Sequence, residues 1–181
     1  VDFLGINQYY PKRVRAPRYQ WNEETPFHPE RYYEVFDLPG KKMNNSRGWE
    51  IYPKIMYDIA MYLKENYHNI PWLITENGMG REYEEQYMDE KGIVQDDYRI
   101  EFIGQHLRYL IKATEEGANC EGYMLWAFTD CVSPMNAFKN RYGLVRIELN
   151  DERSRTLKKS ASWYQTLIDK RELDLPDEIY K

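Results

Sequence analysis

Three short apolar runs, FLGIN (residues 3–7), WLITE (72–76) and GYMLWAF (122–128), limit what this chain can fold into more than any other feature. Each reads as a strand buried on both faces, the pattern of a parallel sheet covered by helices. Helix-period segments separate and follow them. From Tyr52 to Asn66 the apolar stripe is Ile55, Met56, Ile59 and Leu63, with Pro53 near the start. From Asp97 to Glu116 it is Ile100, Ile103, Leu107, Leu110 and Ile111, with Asp96 or Asp97 as the cap and Gly117 as the stop. From Lys158 to Asp169 it is Ala161, Trp163, Tyr164, Leu167 and Ile168. Strand, loop and helix, three times in a row, is the grammar of an α/β fold.

Three parallel strands alone leave two open edges and an uncovered face. A closed barrel of eight such units takes ~250 residues, and this chain has 181. The expectation is a (β/α)8 TIM barrel of which this chain covers about the last three βα units. Residues 1–181 would then be the C-terminal part of a single barrel domain whose N-terminal part is absent, and its open edges predict self-association. A complete three-layer α/β domain is the alternative. The segment from Pro11 to Trp49 carries five prolines and is too long for an idle connection. Its aromatics (Tyr19, Trp21, Phe27, Tyr32, Tyr33 and Phe36) argue for order, and a loop after a barrel strand lies on the active-site face.

Composition removes several classes of function. The net charge is −5, and no run of lysine and arginine lines one face, so nucleic acid is not an expected partner. No apolar stretch approaches the ~20 residues that span a bilayer, and no signal-peptide pattern opens the chain. Cys120 and Cys131 flank a predicted strand that holds them apart, which reads most simply as two reduced thiols in a cytosolic protein. His28, His68 and His106 are far apart in sequence and are read as structural or solvated, so no metal or other cofactor is implied. Aromatic residues make up 15% of the chain, 17 of them tyrosine. Much of that is core packing, but Tyr and Trp also offer a sugar an apolar face and a hydrogen bond.

Strand ends locate the chemistry. In a parallel barrel the C-terminal strand ends converge on one face. They bring together Asn7 and Tyr9 from the first strand, Glu76 from the second and Trp126 from the third. An indole stacks on a sugar ring, an amide bonds a hydroxyl, an acid attacks or stabilises C1, and a phenol holds that acid ionised. Each has a plainer reading: Trp126 as core, Asn7 as a satisfied strand end, Tyr9 as packing, Glu76 as a solvated loop residue with Asn77-Gly78 as a turn.

The sequence resembles glycoside hydrolase family 1, the retaining β-glycosidases built on a TIM barrel. The resemblance runs through FLGINQYY, GWEIYP (48–53), ITENG (74–78), DDYRIEF, HLRYL, GYMLWAFTD (122–130), RYGLV (141–145) and KKSASWY (158–164), nearly the whole chain. It implies Glu76 as nucleophile, Tyr9 as the phenol bonded to it, Asn7 as a sugar-binding amide and Trp126 as the platform under the glycone. It also implies an acid/base glutamate in an Asn-Glu-Pro motif, which does not occur in these residues. The chain alone is therefore expected to be inactive.

The stretch DCVSPMNAFKNRYG (130–143) narrows the resemblance. Ordinary β-glucosidases of the family carry Asp-Asn-Phe-Glu-Trp here, and this chain has Ser133 in place of the glutamate. A carboxylate repels a 6-phosphate, whereas a hydroxyl donates to it. Tyr142 stands where phenylalanine is usual, and Lys139 adds a charge. The resemblance is thus to the 6-phospho-β-glycosidases, cytoplasmic enzymes acting on a phosphorylated disaccharide or aryl β-glucoside. In that pattern the lysine lies two residues before the tyrosine, where this chain has Asn140. Lys139 lies three before, and either its flexible stem reaches the phosphate or Asn140 and Arg141 share that task. Pro134 stands where galactoside enzymes carry tryptophan, which favours glucosides. The other readings are a β-glucosidase or β-galactosidase of unphosphorylated sugars, and a non-catalytic carbohydrate-binding module.

Overall fold

The computed structural model describes residues 1–18, 24, 27–150 and 152–175. Tyr19 and Trp21 of the long loop lie outside the described residues. Three parallel strands, β1 (Leu4–Asn7), β2 (Trp72–Asn77) and β3 (Cys120–Leu125), form one sheet in the order β1-β2-β3. Three helices, α1 (Ile55–Asn66), α2 (Asp97–Glu115) and α3 (Lys159–Lys170), alternate with and follow them. The arrangement is an arc of a (β/α) barrel, as the periodicity implied.

Burial sets the strands apart. The expectation of three fully buried strands holds only for β2, where Trp72 and Ile74 are wholly buried. β1 and β3 are the edges of the arc, and Leu4 and Met124 are exposed. The third strand also starts earlier than its apolar run suggested, at Cys120, and stops before Trp126. Trp72 and Ile74 pack under α1 and α2 against Met56, Ala60, Leu63, Leu110 and Ala113. A second cluster joins Met79 to Phe102, Ile103 and Leu107 of α2, with Trp163 and Tyr164 of α3 against it. Side chains at i, i+3 and i+4 make these faces, as helix geometry requires.

The apolar stripe of α3 is only partly used. Ala161, Tyr164 and Ile168 line an open apolar concavity of about 380 Å³ with Leu125, Phe128 and Leu144. Gly117 ends α2 at φ +91°, the left-handed conformation that stops a helix. Asp96 occupies the cap of α2, but its carboxylate makes no capping bond. It faces inward, accepting from Ser160 Oγ (2.6 Å) and Arg99 Nε (2.8 Å). Within the long loop, Val14–Arg15 pairs with Glu34–Val35, and Met43–Asn44 with Trp49–Glu50, as two small antiparallel ribbons.

Candidate active site

The register of β2 slips against both neighbours at the same place. Ile6 pairs with Ile74, but Asn7 pairs with Glu76; Ile74 pairs with Tyr123, but Asn77 pairs with Leu125. β2 thus carries one extra residue around Thr75 and Glu76, a β-bulge. Strict alternation would place Glu76 on the face of Trp72 and Ile74, under the helices. The bulge breaks that alternation, and the Glu76 carboxylate meets Tyr9, whose hydroxyl donates to Oε2 at 2.7 Å. Burial, then the hydrogen bond and the charge of Glu76, push the Tyr9 phenol far above its ordinary pKa. Tyr9 is therefore a permanent donor at physiological pH.

Asn77 is the hinge of the site, and reading Asn77-Gly78 as a turn is corrected here. Asn77 is the last residue of β2 and fully buried. Its Nδ2 donates to the Gln8 carbonyl (2.7 Å), its Oδ1 accepts from Tyr123 (2.7 Å), and its own carbonyl accepts the Trp126 N–H (2.8 Å). One side chain and one carbonyl thus tie the ends of all three strands together. Gly78 does not adopt a positive φ. A Cβ there would stand 1.7 Å from the Trp126 carbonyl oxygen, so close backbone approach requires the glycine. Trp126 is partly exposed at the mouth of the arc, as a stacking platform must be. Asn7 accepts from Thr75 Oγ1 on its Oδ1 at 2.6 Å.

The predicted loop residues divide into two groups. Tyr142 is buried, and its ring covers Gly80, where a Cβ would come within 2.5 Å of it. Burial raises the Tyr142 phenol above its ordinary pKa, so it stands in the loop as a neutral donor. Ser133 closes a small turn, exchanging backbone bonds with Ala137 (2.9 and 2.8 Å) and accepting the Met135 N–H on Oγ (3.3 Å). Lys139 and Asn140 both turn to Glu82: Lys139 Nζ lies 3.4 Å from Oε2, and Asn140 Nδ2 donates to Oε1 at 3.3 Å. Asn140 is buried, while Lys139 is exposed.

Behind this loop lies a buried ionic network that the sequence did not reveal. Lys158 pairs with Glu84 and, at 3.0 Å, with Asp130. Arg99 pairs with Glu84 and, at 2.8 Å, with Asp96. Arg99 also donates to the carbonyls of Met79, Tyr142 (3.1 Å) and Arg141 (3.2 Å). Asp130 accepts the Gly143 N–H at 3.0 Å. The network clamps both ends of the 130–143 loop. Arg99 and Lys158 fall beside apolar stripe positions, so only a wheel drawn for charges as well as hydrophobics could have flagged them. The two cysteines are free, and burial raises both thiols. His106 is buried with Nδ1 2.7 Å from the Phe102 carbonyl, and desolvation lowers its pKa to about 4, a neutral structural imidazole.

A carboxylate bonded to a phenol, with an amide and an indole at the neighbouring strand ends, stands at the C-terminal mouth of this arc of a (β/α) barrel. The chain belongs to glycosyl hydrolase family 1, whose profile matches residues 1–173. It is 52% identical to the 6-phospho-beta-glucosidase GmuD of Bacillus subtilis over 93% of this chain and 36% of that protein. It is 34% identical to a 6-phospho-beta-galactosidase of Staphylococcus haemolyticus over 95% of this chain and 38% of that protein. A family 1 b-glucosidase from Thermotoga maritima superposes with TM-score 0.79 at 27% identity, covering 96% of this chain and 36% of that one. The chain thus spans a little over a third of the length of these relatives, and its fold is a partial TIM barrel.

Proposed function

We propose that this chain supplies the nucleophile half of a retaining glycoside hydrolase that cleaves 6-phospho-β-D-glucosides. The observation that carries the reading is the 2.7 Å bond from Tyr9 to Glu76 at the bulged end of β2. A carboxylate positioned at a barrel mouth serves as the nucleophile of a double displacement. Glu76 attacks the anomeric carbon, the glycosidic oxygen leaves with a proton from a second carboxyl, and water then hydrolyses the glycosyl ester. That second group must stand about 5–5.5 Å from the first. It would come from a part of the barrel that these residues do not include, so the 181 residues alone are expected not to turn over substrate.

Trp126 stacks under the glycone in this reading, and Asn7 donates to a ring hydroxyl. Ser133 and Tyr142 face the 6-position, whereas Lys139 and Asn140 turn to Glu82. Support comes from Ser133 in the place of a repelling carboxylate and from the relative named a 6-phospho-beta-glucosidase. A cytoplasmic setting follows from the phosphorylated substrate; among the described residues no helix is long and apolar enough to cross a membrane. The unpaired edges of β1 and β3 would pair with the rest of the barrel and make this segment self-associate alone.

The test compares kcat/KM of the full-length enzyme on p-nitrophenyl β-glucoside and on its 6-phosphate. Charge-assisted hydrogen bonds contribute ~1.5–3 kcal/mol each. After discounting for ordering costs, a preference on the order of a thousandfold, ~4 kcal/mol, is expected for the phosphate. Ser133→Glu should reverse the preference by adding repulsion and removing a donor. Comparable values for the wild-type enzyme would return it to the β-glucosidases of unphosphorylated sugars.

A further inference from the structure

Lys139 of the 130–143 loop is held at 3.4 Å by Glu82 and is exposed, Asn140 donates to the same carboxylate, and the loop's other cation, Arg141, faces Asp130 at 3.4 Å. The loop therefore spends its positive charge on neighbours. A further cation stands among the aromatic rings around Tyr9. Arg47 lies in the turn between the two strands of the Met43–Glu50 ribbon, with its guanidinium over the Trp49 ring, 4.3 Å from the centroid. Trp49 in turn stands 5.5 Å from Tyr9, the residue that holds Glu76.

The turn is fixed to the chain just beyond β2. Arg47 and Gly48 donate their N–H groups to the Asn44 carbonyl (3.1 and 2.9 Å), and Gly48 adopts φ +67° to allow it. Asn44 Nδ2 donates to the Gly80 carbonyl at 3.0 Å, and Ser46 Oγ accepts the Glu82 N–H at 3.1 Å. Gly80 is also the residue that the Tyr142 ring covers. The turn that carries Arg47 and the Tyr142 ring thus meet one short segment; burial raises the Tyr142 phenol, and the positive charge of Arg47 opposes that rise. Among the described residues Arg47 has no carboxylate partner, and its buried Nε meets no acceptor. A guanidinium placed on an aromatic face with open donors is suited to a bidentate oxyanion contact.

We propose that Arg47, rather than Lys139, is the specificity-determining cation that receives the anionic 6-phosphate of the substrate, together with Tyr142. This rests on the phospho-sugar reading above. The aromatic shelf of Trp49 holds the guanidinium in place, so the charge is pre-organised before substrate arrives.

The experiment measures kcat/KM of the full-length enzyme and of Arg47→Met, Arg47→Lys and Lys139→Met on p-nitrophenyl β-glucoside 6-phosphate and on p-nitrophenyl β-glucoside. Arg47→Met should lose about 30-fold or more on the phosphate and less than about threefold on the unphosphorylated sugar. Arg47→Lys, which keeps the charge but loses the planar fork, should recover only part of the loss, and Lys139→Met should change either value by less than about fivefold. Equal losses of Arg47→Met on both substrates would assign Arg47 a structural role and overturn the proposal. So would an unchanged preference in Arg47→Met with a lost one in Lys139→Met. A wild-type enzyme without preference would overturn the phospho-sugar reading itself, a different and separately visible failure.

Discussion

Tyr9 and Glu76 are separated by most of the first half of the chain, yet one hydrogen bond between them defines the site. The phenol is raised by burial and by the adjacent carboxylate, so it stays protonated across the working range of pH. Tyr9→Phe removes the donor and little volume. The loss of a charge-assisted bond should lower kcat of the full-length enzyme about 10- to 150-fold, with the alkaline limb of the pH profile unmoved because Tyr9 does not titrate there. A kcat within about twofold of wild type would show that Glu76 needs no such partner. At this scale residue type was legible in the sequence: an acid at the end of an apolar run, with an asparagine, a tyrosine and an indole at neighbouring strand ends. The role of Asn77 was not, because an Asn-Gly pair signals a turn wherever tertiary contacts are unknown. Here three bonds from Asn77 hold strand ends that are distant in sequence.

The bulge in β2 belongs to the element scale, and no local pattern announces it. Alternation along WLITE would put Glu76 on the face of Trp72 and Ile74, and only pairing with β1 and β3 reveals the extra residue that turns it away. Helices were read more easily, since their stripes depend on nearby spacing; α1, α2 and α3 fall within a residue or three of the expected bounds. Charges inside those stripes were harder to see. On α2, His106 is neutral and buried, its pKa lowered from the usual 6.5 to about 4 by desolvation. Between those two values the unfolded chain binds a proton that the folded chain refuses, so stability rises with pH through that window. The contribution is fully present above pH 6.5 and is lost as pH falls. From pH 7 to 4.5 the full-length wild type should lose about 2–3 kcal/mol more than His106→Gln in urea unfolding, and equal losses would place the imidazole in solvent. Lys158, just ahead of α3, joins Glu84 and Asp130 in the interior. Lys158→Met should destabilise the protein by about 3–5 kcal/mol, because Glu84 and Asp130 each lose a buried cationic partner and keep only Arg99 and Arg141. A change below about 1 kcal/mol in the same assay would mean that the network is not coupled as its geometry indicates.

For the molecule as a whole, the order of elements was enough to indicate part of a barrel, since alternating strands and helices admit few other layer arrangements. What the sequence could not supply was the set of long-range closures: the slip around Glu76, the ionic clamp beneath the 130–143 loop and the seating of Arg47 on Trp49. Each depends on segments that meet only after folding. The geometry at the strand ends carries the central claim, that Glu76 forms a covalent bond to the sugar. Full-length enzyme treated with a 2-fluoro glycoside 6-phosphate should accumulate a glycosyl ester, and mass spectrometry of the digested protein should place the added mass on the peptide containing Glu76. An adduct on any other carboxylate, with Glu76 unmodified, would contradict the account.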